Sequence, residues 1–190
     1  MHLIEPHYAW RNYYRAEADE RSPFFGREYS EFYFTQAIYD HYIHPQWDDF
    51  GSETLFIKII YADYPRGFVV IEMLGEWNDC LFNDIMFFKR NVLEVLMRNG
   101  INKFILIGEN ILNFHFSDDS YYEEWFDEIG EGWIVGLNFR EHVKQEFFGG
   151  NLDEYIVFGG ILDNMDEWRS FTPLRLYSLI QNEILHRLNP

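Results

Sequence analysis

From residue 53 onward, short apolar runs alternate with helical stripes. The run LFIKIIYA within Thr54 to Ala62 and the run FVVIEML from Phe68 to Leu74 each have the length and side chains of a strand. Between them, Asp63-Tyr64-Pro65-Arg66-Gly67 supplies the constrained and permissive backbone of a turn, so the two strands should form an antiparallel hairpin. Apolar residues at 81, 85, 88, 92 and 96 make one helical stripe over Leu81 to Arg98, which Asn99-Gly100 closes. Lys103 to Ile107 (KFILI) reads as a buried strand. Tyr122, Trp125, Phe126 and Ile129 form a second helical face, and Trp133 to Leu137 (WIVGL) the next strand. Phe139, Val143 and Phe147 mark a third helix ending at Gly149-Gly150. Tyr155 to Phe158 (YIVF) reads as the last strand, and Thr172-Pro173 opens a final helix reaching about Leu188. The order ββαβαβαβα predicts an α/β fold: a mixed, mostly parallel sheet with an N-terminal antiparallel hairpin and helices packed on it.

The first fifty residues follow no such alternation. Tyr8 to Glu20 fits a helix with Trp10, Tyr13 and Tyr14 on one side, and Tyr29 to Ile43 fits helix and strand equally. Ser22-Pro23 and His44-Pro45 punctuate the segment. It holds 14 of the chain's 38 aromatic residues. Trp10, Tyr13, Tyr14, Phe24, Phe25, Phe32, Phe34, Trp47 and Phe50 should therefore be covered, since exposed aromatic surface on that scale aggregates. The expectation is an aromatic-rich segment, residues 1–52, packed on an α/β domain at 53–190. A second copy of the chain, as a homodimer, is the alternative cover.

The 190 residues carry 15 Lys+Arg against 32 Asp+Glu, a formal net charge of −17. A nucleic-acid partner is disfavoured, because a phosphate backbone needs a basic patch. Apolar runs are broken well before the roughly 18 residues a spanning helix needs, so no membrane span is expected. The start, Met1-His2-Leu3-Ile4-Glu5-Pro6, lacks the basic and apolar regions of a signal peptide. Cys80 is the single cysteine. It allows neither an internal disulfide nor a multi-cysteine metal site, which fits a reducing, cytoplasmic setting.

No phosphate-binding glycine loop, zinc-protease or nucleophile-elbow motif is present. His41, His44, Asp48 and Asp49 have ligand types at metal-like spacing, but Pro45 interrupts any helix there, so surface or packing histidines are expected. Glu72 interrupts an apolar strand on the face of Val70 and Leu74; exposure at a sheet edge is the expected reason. Asn78 or Asp79 should cap the following helix. The stretch from Phe104 to Phe139 contains Glu109, Asp118, Asp119, Glu123, Glu124, Asp127, Glu128 and Glu131 with no Lys or Arg. Ligands of open α/β sheets bind beyond the C-terminal ends of strands. That position, after Lys103–Ile107, makes Glu109, His115, Ser117, Asp118, Asp119 and Ser120 the candidate site for a protein partner or small ligand. Capping and the helix dipole explain Ser117, Asp118 and Asp119 individually without a partner.

Over roughly residues 54–188 this order resembles the STAS domain, the fold of bacterial anti-sigma-factor antagonists and lipid-binding relatives. Gly75-Glu76 falls where that family turns after its second strand, and Lys103–Ile107 where its central strand lies. The resemblance implies a regulatory protein-binding role and a phosphorylatable serine at the start of the following helix. The family's Asp-Ser-Ser-Gly motif is absent; the matching segment is His115-Phe116-Ser117-Asp118-Asp119-Ser120. Fixed charge at Asp118 and Asp119 leaves a phosphate on Ser117 or Ser120 less to add. The favoured expectation is a non-enzymatic interaction protein that uses the acidic loop and helix at 115–131, with no cofactor. The alternative is a metal-dependent hydrolase, with Glu109, Asp118 and Asp119 holding Mg²⁺ and His115 as base.

Overall fold

In the computed structural model, residues 4–188 are described. A four-stranded sheet is built from β3 (Leu55–Asp63), β4 (Phe68–Asn78), β5 (Lys103–His115) and β6 (Trp133–Leu137), in that spatial order. The pair β3–β4 is antiparallel, while β4–β5 and β5–β6 are parallel. The expected hairpin is therefore present. Gly67 closes its turn at φ +70°, and Arg66 N–H donates to Asp63 Oδ1 at 2.9 Å. A separate two-stranded ribbon, β1 (Ala37–Ile38) with β2 (His41–Tyr42), precedes the sheet.

The sheet is buried on both faces, as its near-continuous apolar strands require. One face sets Val69, Ile71 and Met73 against Phe88, Leu96, Trp125 and Phe147. The other sets Phe68, Val70, Ile105 and Ile107 against Trp10, Trp168, Leu176 and Ile180. The first is covered by α4 (Ser120–Ile129), α5 (Glu141–Gly149) and the helical segment before β5, and the second by α6 (Pro173–Leu188). Among the described residues no helix is long and apolar enough to cross a membrane.

Several expectations are corrected. The helix read over 81–98 is broken into α1 (Asp79–Phe82), α2 (Asp84–Phe88), a π-helical turn at Lys89–Leu93 and α3 (Glu94–Arg98). Asn83, at φ +53°, stands between the first two, a left-handed conformation that asparagine tolerates. Leu81 therefore lies off the core at 78% exposure, while Ile85, Phe88, Val92 and Leu96 are buried. The π turn begins at Lys89, and that lysine is buried. The strand read at Tyr155–Phe158 shrinks to a single parallel bridge between Val135 and Val157. Two bonds hold it, Val157 N–H to Ile134 O and Gly136 N–H to Val157 O, before 3₁₀ turns bend the chain away on both sides.

The N-terminal helix read at Tyr8–Glu20 is replaced by two 3₁₀ turns, Ala9–Asn12 and Ala16–Ala18, because Arg15 between them is extended. Trp10, Phe24, Trp47 and Phe50 are buried, and Trp10 Nε1 donates to Phe171 O at 2.9 Å. The other aromatic side chains are not all covered: Tyr13, Phe25 and Phe32 are exposed.

Candidate functional site

The candidate residues are positioned by an extension of β5 that the sequence pattern conceals. The strand continues eight residues past Ile107, to His115, beyond the end of its pairing with β6. The register against β4 slips twice, between Glu72 and Leu74 and between Gly75 and Glu76, so β5 carries an extra residue at each bulge. Each slip reverses the alternation of faces. The buried residues thus fall at 107, 108, 111 and 114 rather than at every second position. Gly108 is required where the Phe139 ring lies against the strand: a Cβ there would meet ring carbons at 2.3 to 2.5 Å. The expected loop after Lys103–Ile107 is therefore strand as far as His115.

This extension separates the six candidate residues into three places. Glu109 lies with Glu72, Arg169 and Trp168. Arg169 bridges the two carboxylates, bonding Glu109 and standing 3.1 Å from Glu72 Oε1, and Trp168 Nε1 donates to Glu109 Oε2 at 3.3 Å. Glu72 is wholly buried, with the His7 backbone N–H donating to Oε2 at 2.7 Å. The edge exposure expected for Glu72 is overturned: β5 pairs along its far side, and the N-terminal segment and Arg169 supply its partners. Burial pushes the Glu72 carboxyl up to about 7, against the opposing pull of His7 N–H and Arg169. The beginning of the chain and residue 169 meet at this glutamate, an arrangement no local signal announces.

His115 lies elsewhere, bonded to the buried Glu76 at 2.6 Å (Nε2 to Oε1), and the Tyr39 hydroxyl donates to the other Glu76 oxygen. Ser117, Asp118, Asp119 and Ser120 form the third place, at the start of α4. Asp118 Oδ1 accepts the Ser120 backbone N–H at 3.1 Å, and the Ser120 hydroxyl together with this N–H holds its carboxyl below the usual range. Asp119 occupies the N-cap position without a side-chain capping bond; its carboxylate faces the Tyr155 hydroxyl at 3.5 Å. The expected cap after β4 is Asn78, whose Oδ1 accepts Leu81 N–H at 2.9 Å. Asp79 is instead buried beneath the Tyr122 hydroxyl (2.6 Å) and Trp77 Nε1 (3.0 Å), with its carboxyl pushed up to about 7 by burial. Among the described residues no three His, Cys, Asp or Glu side chains converge as metal ligands. Glu109 is not brought to Asp118 and Asp119, so the Mg²⁺ set of the hydrolase alternative is not assembled.

The acidic stretch resolves into two stripes on α4. Glu124 and Glu128 face Lys89, wholly buried, whose Nζ lies 3.3 and 2.7 Å from them; Arg90 adds a second contact to Glu124. These cations come from the preceding helical segment, outside the window from Phe104 to Phe139. A lysine beside the apolar stripe at 85, 88 and 92 was the available signal. The second stripe, Asp119, Glu123 and Asp127 at successive four-residue steps, is exposed, as is Glu131 beyond the helix end. None of these four carboxylates has a basic partner among the described residues. Phe126, 38% exposed, flanks the stripe and tilts against Tyr155 with ring centroids 5.8 Å apart. The surface is thus an unneutralised acidic ridge with an aromatic pair at its side.

No family model matches the sequence, and no curated protein matches it. Among solved structures, the chain is similar to the anti-sigma factor antagonist SpoIIAA in its unphosphorylated form. The two are 13% identical with a TM-score of 0.41, over 61% of this chain and 98% of that one.

Proposed function

We propose that the chain is an interaction protein that docks a basic protein segment on the ridge of α4. The observation that carries this reading is the unequal treatment of the acidic residues. Glu124 and Glu128 are matched by Lys89 and Arg90, while Asp119, Glu123 and Asp127 stand one turn apart with no cation among the described residues. Like charges at that spacing destabilise a helix by about 0.2–0.5 kcal/mol per pair. A partner that supplies Lys or Arg relieves this repulsion, and the net charge of −17 steers such a partner inward. Phe126 and Tyr155 offer an apolar contact beside the charges, the combination of anchor and polar rim that protein interfaces use. In the same reading Ser117, Asp118 and Ser120 border the ridge at the start of α4, Glu109 and His115 stand apart from it with Arg169 and Glu76, and residues 1–52 pack on the 53–190 body as part of one unit.

The test is the triple variant Asp119→Asn/Glu123→Gln/Asp127→Asn, compared with the parent in affinity enrichment from source-cell lysate at low and high salt. Asparagine retains capping ability while removing charge. Recovery of a basic partner should be salt-sensitive with the parent and fall steeply with the variant. An unchanged interaction profile would eliminate the reading.

A further inference from the structure

A cavity of about 430 Å³ lies between the N-terminal segment and the outer strand β3, lined by residues that include Arg15, Glu31, Tyr8, Tyr14 and Ile60. That volume falls within the roughly 300–1,000 Å³ of small-molecule sites. Its charged lining is balanced, and most of it is already paired. Arg11 contacts Glu17 at 3.5 Å, Lys58 bonds the buried Asp48 at 3.1 Å, and His44 faces Glu5 at 3.5 Å. Glu5 has no cation opposite it unless His44 is protonated, and two further lining charges are left over. The Arg15 guanidinium and the Glu31 carboxylate are exposed and make no side-chain bond among the described residues. Pro6, Tyr8, Tyr14 and Ile60 supply apolar wall between these polar groups.

An unused cation and an unused anion in the same cavity, with Glu5 as a second carboxylate whose partner is an imidazole, favour a ligand with both charges. We propose that the cavity binds a small zwitterion, a free α-amino acid or dipeptide with an apolar side chain. Its carboxylate pairs with Arg15 and its ammonium with Glu31. The side chain lies on the tyrosine and isoleucine wall. A simple anion would meet Glu31 and the strongly negative field of the chain, and a simple cation would leave the guanidinium unmatched, so neither uses the full lining. A guanidinium fits a carboxylate in a planar two-bond geometry, which gives Arg15 the specificity-setting role. This site is formed by elements other than α4 and does not depend on the ridge.

Isothermal titration with L-phenylalanine, L-tryptophan and L-leucyl-L-leucine tests the proposal. Saturable binding is expected. L-Phenylalaninamide and N-acetyl-L-phenylalanine, each lacking one charge, should bind at least about tenfold more weakly, the loss of one charge-assisted contact. Arg15→Gln should erase the discrimination against the amide, and Glu31→Gln that against the acetylated form. Both positions are exposed and unpaired, so both variants should fold, and far-UV circular dichroism checks this. The proposal is overturned if no zwitterion binds at millimolar concentration. It is equally overturned if the single-charge analogues bind as well as the parent, or if both variants discriminate as the parent does.

Discussion

Replacing Glu72 with glutamine should change how stability depends on pH more than it changes stability at any one pH. The folded carboxyl titrates at about 7, against an ordinary value of 4.5, because β4 buries it completely. A carboxyl raised in this way binds its proton more tightly folded than unfolded. Its contribution is therefore favourable at low pH and is lost as pH rises from about 4.5 to 7. At roughly 1.4 kcal/mol per tenfold in proton affinity, the loss reaches about 3 kcal/mol. Arg169 restrains it by favouring the ionised form. Glutamine keeps an acceptor for the His7 N–H and cannot ionise, so it mimics the protonated glutamate. Near pH 5 the variant and parent should melt together. By pH 8 the variant should gain on the parent by several degrees, since about 1 kcal/mol moves the melting temperature of a chain this size by roughly 2–4 °C. The assay is differential scanning calorimetry of both proteins from pH 5 to 8 at constant ionic strength. Asp79 and Asp84, also pushed up by burial, slope the same way in both proteins and cancel in the difference. A melting difference that stays flat over this range, or moves against the variant, would show that Arg169 holds Glu72 ionised and would refute the reasoning.

Two further outcomes follow from the fold. Gly75→Ala should lose at least about 2 kcal/mol in urea unfolding, because Gly75 has φ +117° and an added Cβ would stand 2.1 Å from Thr54 O; a loss under about 0.5 kcal/mol would contradict the bulge geometry. Limited trypsin digestion should leave residues 1–52 attached to the folded body, and rapid release at Arg15, Arg21 or Arg27 with retained folding would separate the segment from it.

The parts of the fold legible in sequence were those in which one period runs uninterrupted. The hairpin, β6, α5 and α6 follow directly from apolar spacing and turn chemistry. The second half of β5 does not, because two bulges break the alternation at the residues proposed as a site, and polar Glu109, Asn110 and Asn113 then imitate a loop. The YIVF run has strand composition, yet its flanking 3₁₀ turns leave it two ladder bonds. Of the candidate chemistry, the acidity of α4 was visible, and its division was not. Lys89, buried at the start of a π turn, neutralises Glu124 and Glu128 from a helical segment some 35 residues earlier in the chain. Glu72 was noticed as an interruption, but its partners lie 65 and 97 residues away, beyond any local pattern.

The most direct test of the ridge compares two triple variants with the same change in net charge. One reverses Glu123, Asp127 and Glu131 to lysine; the other reverses Glu28, Glu146 and Glu167, exposed carboxylates in other parts of the chain. Both are compared with the parent by quantitative affinity enrichment from source-cell lysate at low salt. The account predicts that basic partners recovered by the parent are lost with the ridge variant and kept with the control. Equal recovery by both variants, or equal loss from both, would contradict it, because charge alone and not its place on α4 would then govern binding.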